Sequence, residues 1–313
     1  MSMISKTATK QEAYLRKSIY FDSARSGFRY ILSKVPQDNS IVLLPSYIGI
    51  SPKEGSGIFD PVRESNLSYE FYAMTGDLSI NVADFEAVIN SANSSYKHII
   101  VLLVHYFGFV DKSIEQVCKL SREAGAVIVE DEAHALYTDY IDGMCGEYGD
   151  YSIFSLHKML PYAHGGMLRI NNSLNCLGVI EGNNKPSVAG LDIAQYDLAS
   201  ISKKRKLLAE KIYSELLGFR GLHFLHRCPV NITPQTIPII LSPDIRNDFY
   251  FHMNEKGFGI VSLYHTLIPE IDNEKYHDVI LLSKSITNLP VHQDAEVDGI
   301  EKMCEEIKMF MDK

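Results

Sequence analysis

The 313-residue chain is poor in cysteine, has fewer basic than acidic residues, and contains no apolar run long enough to cross a membrane. Its five cysteines, Cys118, Cys145, Cys176, Cys228 and Cys304, are odd in number, far apart and never spaced C-x-x-C. That pattern offers no disulfide framework or zinc ribbon and fits a reducing, cytoplasmic setting. With 30 Lys and Arg against 39 Asp and Glu, the formal net charge is −9, which argues against a nucleic-acid or anionic-membrane partner. The longest apolar run, HIIVLLVHYFGFV, is too short and too rich in His to span a bilayer. The N-terminal MSMISKTATKQEAYLRK has no apolar stretch, so no signal peptide is expected. Neither G-x-G-x-x-G nor G-x-x-x-x-G-K-[ST] occurs, which removes the main feature of dinucleotide-binding and P-loop proteins.

What is present is an ordinary globular composition, 46% hydrophobic and 22% charged, long enough for one large or two moderate domains. Short apolar runs alternate with helical patterns. IVLLP (41–45), LSYEFYAM (67–74), HIIVLLVHYFG (98–108), AVIVEDEAH (126–134), YSIFSL and GGMLRI read as strands. NVADFEAVINSA and KSIEQVCKLSREAG read as helices, the second stopped by Gly125. This repetition predicts an α/β fold, a mostly parallel central sheet with helices on both faces. Residues 171–190, rich in Asn and Gly, read as a connecting segment. Beyond it, a long helix (194–217), a strand IPIIL (237–241) and helices near 247–256 and 297–311 suggest a smaller α+β domain. The expected division is residues 1–190 and 191–313. KKRK (203–206) reads as a solvated helix face, and HFLH (223–226), without a third ligand nearby, as structural rather than metal-binding.

In open α/β sheets, sites form beyond the carboxyl ends of the strands. Three such ends here carry chemistry: His105-Tyr106, Asp131-Glu132-Ala133-His134 and His157-Lys158. Lys158 lies between the apolar SIFSL and MLPY. A lysine in apolar surroundings has its charged form disfavoured, and its amine becomes nucleophilic. Such a lysine suits a Schiff base with an aldehyde such as pyridoxal phosphate (PLP). That cofactor needs a carboxylate at its ring nitrogen, which Asp131 could supply, and a phosphate cradle. Ser155 and the helix start DSARSGFRYIL (22–32) could supply the cradle. Taken alone, a strand-end lysine is more often a salt-bridge partner, Asp131 as readily a helix cap, and His105 and His134 more often structural. Their order along the chain is what raises the reading: phosphate-like turn, strand-end Asp, Ser-x-x-Lys, then Gly-Gly.

The stretch VIVEDEAHAL…GEYGDYSIFSLHKMLPYAHGGML resembles the core of the DegT/DnrJ/StrS-type PLP-dependent sugar aminotransferases, with 27 residues from Asp131 to Lys158. IVLLPSY, VLLVHYFGFVDKSIEQVCKLSREAG and SKSITNLPVHQDAEVDGIEKM extend the resemblance outward. It implies the fold type I architecture, PLP as cofactor and a symmetric homodimer. It implies transfer of an amino group from an amino acid, glutamate above all, to a keto-sugar of nucleotide-linked type, in surface polysaccharide or secondary-metabolite synthesis. By position, Lys158 would carry the cofactor, Asp131 would meet its ring nitrogen and His134 would lie near its phenolic oxygen. Ser155 and the Ala24-Arg25 turn would bind its phosphate. Tyr47 would contact the cofactor, and Tyr106, Tyr264 and His265 the substrate.

Three departures stand out. Ala24-Arg25 replaces the family's Gly-Thr, Ser155 is only three residues from Lys158, and Gly49 stands where the family often has an aromatic ring on the cofactor. A dehydrating relative replaces the lysine by histidine, and His157 adjoins Lys158 here. A sugar dehydratase or lyase, or a non-catalytic regulatory protein of the same fold, therefore stays open beside the transaminase.

Overall fold

The computed structural model describes residues 18–51, 55–172, 188, 190–227, 230–272 and 274–312. The N-terminal stretch read for a signal peptide, most of the connecting segment 171–190, Cys176 and Cys228 lie outside the described residues. The chain opens with β1 (Ser18–Phe21), α1 (Ala24–Leu32), β2 (Ser40–Pro45), α2 (Asp60–Ser65), β3 (Ser68–Tyr72) and α3 (Val82–Ser95). It continues through β4 (His98–Val104), α4 (Ile114–Glu123), β5 (Val127–Asp131), α5 (Leu136–Tyr140), β6 (Tyr151–Ser155), α6 (Leu156–Met159) and β7 (Gly166–Ile170). The remainder is α7 (Leu198–Leu216), β8 (His223–Phe224), β9 (Thr236–Ile240), α8 (Pro243–Glu255), α9 (His277–Ser285), β10 (Ile286–Pro290) and α10 (Val297–Met311).

Seven strands form one sheet in the order β1-β7-β6-β5-β4-β2-β3. β3, β2, β4, β5 and β6 are parallel, β7 is antiparallel to β6, and β1 is antiparallel to β7. Ile100, Val101, Leu102, Ile128, Val129 and Ile153 are fully buried, as continuous apolar runs in a parallel sheet require. The topology collects polar groups at one edge. β4, β5 and β6 all end there, β7 begins there, and β1 runs into α1 there. The three-stranded sheet β10-β9-β8 packs with α7, α8 and α10 around Leu208, Ile212, Ile239, Phe249 and Ile307. α9 and the turn before it instead add Ile268, Ile271 and Val279 to the core of the large sheet.

Several expectations shift. The strand expected over 98–108 stops at Val104, and Tyr106–Gly108 form a 3-10 turn with Phe107 at φ 59°. The helix expected from 194 starts at Leu198, where the Asp197 carboxylate accepts the Ser200 amide. The helix expected from 247 starts at Pro243, since proline suits the first helical turn. The solvated reading of KKRK fails at Arg205, which is 1% exposed. Helical spacing puts Arg205 on the inner stripe with Ser202, Leu208 and Ala209, where it donates to the Gln235 carbonyl and to Gln293. His226 packs its ring on Phe109 with centroids 4.3 Å apart, and among the described residues no cluster of His, Cys, Asp and Glu could hold a metal.

Two predictions follow from packing. A side chain at Gly166 would place its Cβ 2.1 Å from the Ser23 carbonyl carbon and 2.3 Å from the Ala24 nitrogen. Gly166→Ala must therefore push α1 off β7 and should lower stability by about 3 kcal/mol in urea denaturation. Burial lowers the pKa of His226 from 6.5 to about 4. The unfolded chain then binds a proton at this site between those values and the folded one does not, so stability rises with pH in that window. His226→Phe should remove this contribution: its stability difference from the parent should change as pH falls from about 6.5 to 4 and stay constant above it.

Candidate active site

The site is built at the shared strand edge. Asp131 closes β5, paired in register with Val104 of β4. Strand alternation sends its neighbours Glu130 and Glu132 to the opposite face. Glu130 accepts the Gly146 and Gly149 amides at 2.9 and 2.6 Å and meets His105 Nε2 at 2.9 Å. Burial alone would raise its pKa, but His105 and these amides outweigh burial and hold it below the ordinary carboxylate range. Glu132 lies 3.7 Å from fully buried Arg169, which also pairs with Asp139. Only Asp131 of the three acids turns to the lysine side.

Asp131 is 8% exposed, and its Oδ1 accepts the Ala133 amide at 2.9 Å. Among the described residues it makes no ion pair within 4 Å. Burial raises its pKa, with the Ala133 amide, Lys158 and His105 opposing. A buried carboxylate without a contact cation is costly, and a protonated ring nitrogen is a group that would relieve it.

His134 lies in the turn after β5, 2% exposed. Its Nδ1 accepts the Phe107 amide at 3.2 Å, and its ring stacks on Phe107 with centroids 6.0 Å apart and planes 11° apart. Its Nε2 is 3.1 Å from Lys158 Nζ. Burial, and then the Lys158 charge, push its pKa well below the usual value, so the ring is neutral. A neutral imidazole that accepts at Nδ1 carries its proton on Nε2. Nε2–H then faces the lysine nitrogen.

Lys158 sits in the single turn α6 directly after β6, half-buried, while His157 beside it is exposed. Ser155 ends β6, pairs in register with Gly166 and lies 3.3 Å from His157 Nδ1 through its hydroxyl. The bare Cα of Gly166 admits the Ser23–Ala24 backbone. The nine-residue α1 begins there, with Ser23 Oγ accepting the Ser26 amide. The first-turn amides of Ala24 and Arg25 precede any intrahelical acceptor, so this end suits an anion. The Arg25 guanidinium lies 3.6 Å from Asp60 of α2.

Around His134 stands an aromatic group. Tyr47 is fully buried with its ring 5.4 Å from Tyr106, whose hydroxyl donates to the Tyr47 carbonyl at 2.6 Å. Tyr264 joins Tyr47, Tyr106, Phe107 and His134 from the C-terminal half, while His265 is exposed and bonds back to the Ser262 carbonyl at 2.8 Å. Lys158, His134 and Asp131 thus gather at the edge that also holds Ser155 and the start of α1. Phe107 escaped the sequence reading because a continuous strand was expected there; Gly108 directly after it was the available sign of a turn.

Residues 73–175 match the DegT/DnrJ/EryC1/StrS aminotransferase family. The spore coat polysaccharide biosynthesis protein SpsC of Bacillus subtilis is 30% identical over 127 residues, covering 37% of this chain and 32% of SpsC. The chain thus aligns with about a third of that relative's length. The solved structure of S. venezuelae DesV has a TM-score of 0.75 at 15% identity, covering 96% of this chain and 87% of that one. Helicobacter pylori PseC, an aminotransferase involved in the biosynthesis of pseudoaminic acid, gives 0.72 at 16% identity over 95% and 87%. Streptoalloteichus hindustanus TlmJ, an aminotransferase, gives 0.72 at 18% over 94% and 86%. These likenesses establish the fold, the mostly parallel architecture of fold type I, across nearly the whole chain. The segment that matches this family contains Asp131, His134, Ser155 and Lys158.

Proposed function

We propose that this chain is a PLP-dependent aminotransferase that moves an amino group from an amino acid, glutamate in the first instance, to a nucleotide-linked keto-sugar. The product would serve surface polysaccharide or secondary-metabolite synthesis in the cytoplasm. The observation that carries the reading is the 3.1 Å contact between His134 Nε2 and Lys158 Nζ at the strand edge that also holds Asp131. When bound, the cofactor would supply an aldehyde for amine exchange and a conjugated ring that accepts an electron pair.

The residues present suit that group. Asp131 offers a buried carboxylate to a protonated ring nitrogen, and His134 lies beside the lysine near the ring's edge. Ser155 and the amides of Ala24 and Arg25 form a cradle for the phosphate dianion, opened by Gly166. Tyr47 and Tyr106 wall the site. With that group bound, an amino-acid donor would free the Lys158 amine, and its Nζ would then take the proton from the donor's α-carbon. His134 would keep that nitrogen oriented. The same steps in reverse serve the ketone, so ping-pong kinetics follow. His265 is assigned to the substrate side. In this reading residues 1–190 hold the cofactor, 191–313 form the smaller part, and two copies associate about a twofold axis.

The test is the visible spectrum of the purified protein with PLP, before and after glutamate, beside Lys158→Ala. The expected result is a yellow band in the parent, absent in the variant and bleached by glutamate. Borohydride reduction should fix the added mass on the peptide containing Lys158. A band that ignores every amino donor would favour a lyase or a non-catalytic binder. No band in the parent would sink the assignment.

A further inference from the structure

Tyr264 packs against the core of the large sheet in a costly conformation. Its φ is 59°, a left-handed backbone that is strained for an aromatic residue. It sits just before a segment fastened antiparallel to residues 48–50: the Ile50 amide donates to the Thr266 carbonyl at 2.9 Å and the Ile268 amide to the Ile48 carbonyl at 3.0 Å. That fastening aims the ring at Gly49. A Cβ on Gly49 would stand 2.9 Å from Tyr264 Cδ1 and 3.1 Å from its Cα. The backbone of Gly49 is not left-handed, so its own conformation does not call for glycine. What calls for glycine is the ring of Tyr264, and the two positions exclude each other's side chains.

The ring centroid of Tyr264 lies 5.2 Å from Tyr47, 5.5 Å from Tyr106, 5.9 Å from Phe107 and 6.2 Å from His134. Those four are 0, 4, 0 and 2% exposed, while Tyr264 is only partly buried. Burial and then the charge of Asp131 raise its hydroxyl pKa.

Building on the cofactor reading above, we propose that Tyr264 is the aromatic cover of the site, the ring against which the flat heterocycle held at Lys158 and Asp131 rests. The cover is supplied by the C-terminal half, into space that Gly49 leaves open. Cofactor affinity would then depend on the docking of residues 261–268 against residues 48–50.

The probe is PLP, titrated by its visible band, with a thermal melt run on every variant. Tyr264→Phe should bind within about twofold of the parent, because the face and not the hydroxyl is used. Tyr264→Leu, which keeps apolar bulk without the ring, should weaken binding about tenfold while still melting cooperatively as a folded protein. Gly49→Phe alone should melt lower, since both rings claim one space. Gly49→Phe combined with Tyr264→Ala should regain both the melting temperature and most of the affinity. Parent-like affinity in Tyr264→Leu would overturn the proposal. If the Tyr264 variants lose fold, the double variant decides: a restored melt without restored affinity overturns it equally. A parent that forms no band refutes the cofactor reading itself, a result distinct from either.

Discussion

The site depends on one hydrogen bond to a ring nitrogen. The Phe107 amide occupies Nδ1 of His134, which forces the imidazole proton onto Nε2 and toward Lys158. Without that backbone donor the ring could take either tautomer. With it, the Nε2–H faces the lysine nitrogen 3.1 Å away. Phe107 is shaped around this task. Its left-handed φ of 59° aims the amide, its ring stacks on His134, and its carbonyl accepts the Gln235 amide at 2.8 Å. Strain of about 1–3 kcal/mol at such a residue persists only where neighbours over-determine it.

The second constraint is the burial of three consecutive acids at the end of β5. Glu130 and Glu132 are fully buried and Asp131 nearly so. On one face, amides, His105 and Arg169 compensate the charges. Glu132 nevertheless has its pKa raised, first by burial and then by Asp139, while Arg169 in the same cluster has its own raised by these acids despite burial. This cluster fixes the geometry behind the strand, so that the single acid on the other face stands where β4 and β6 place their own ends. Rigidity on one face gives precision on the other.

The parallel core was legible because buried parallel strands are written as apolar runs, and 41–45, 126–131 and 151–155 are such runs. The order of Asp131, Ser155, Lys158 and Gly166 was legible because each has a distinct chemical or steric reason to be its residue type. β1 and β10 were not, since SIYF and ITNLP are short and half polar, and antiparallel pairing with distant strands stabilises them. Arg205 misled because a run of four cations hides which one faces inward; only the helical phase against Leu208 and Ile212 decides it. The left-handed conformations of Phe107 and Tyr264 had no sequence sign of their own, because aromatic side chains disfavour them.

Those two residues form a pattern of their own. Phe107 and Tyr264 lie 157 positions apart, yet both adopt φ 59°, their rings lie 5.9 Å apart, and both contact His134. Neither conformation is favoured locally, and each is enforced by backbone bonds elsewhere: Phe107 by Gln235, and Tyr264 by the pairing of 48–50 with 266–268. In both cases the strain is stabilised by contacts between the large sheet and the C-terminal half of the chain. The histidine that holds Lys158 is therefore set by how the two parts meet, and not by β5 alone. A substitution that loosens that junction would relax both residues together, releasing the Nδ1 bond and the aromatic contact at once, while leaving the seven-stranded sheet intact.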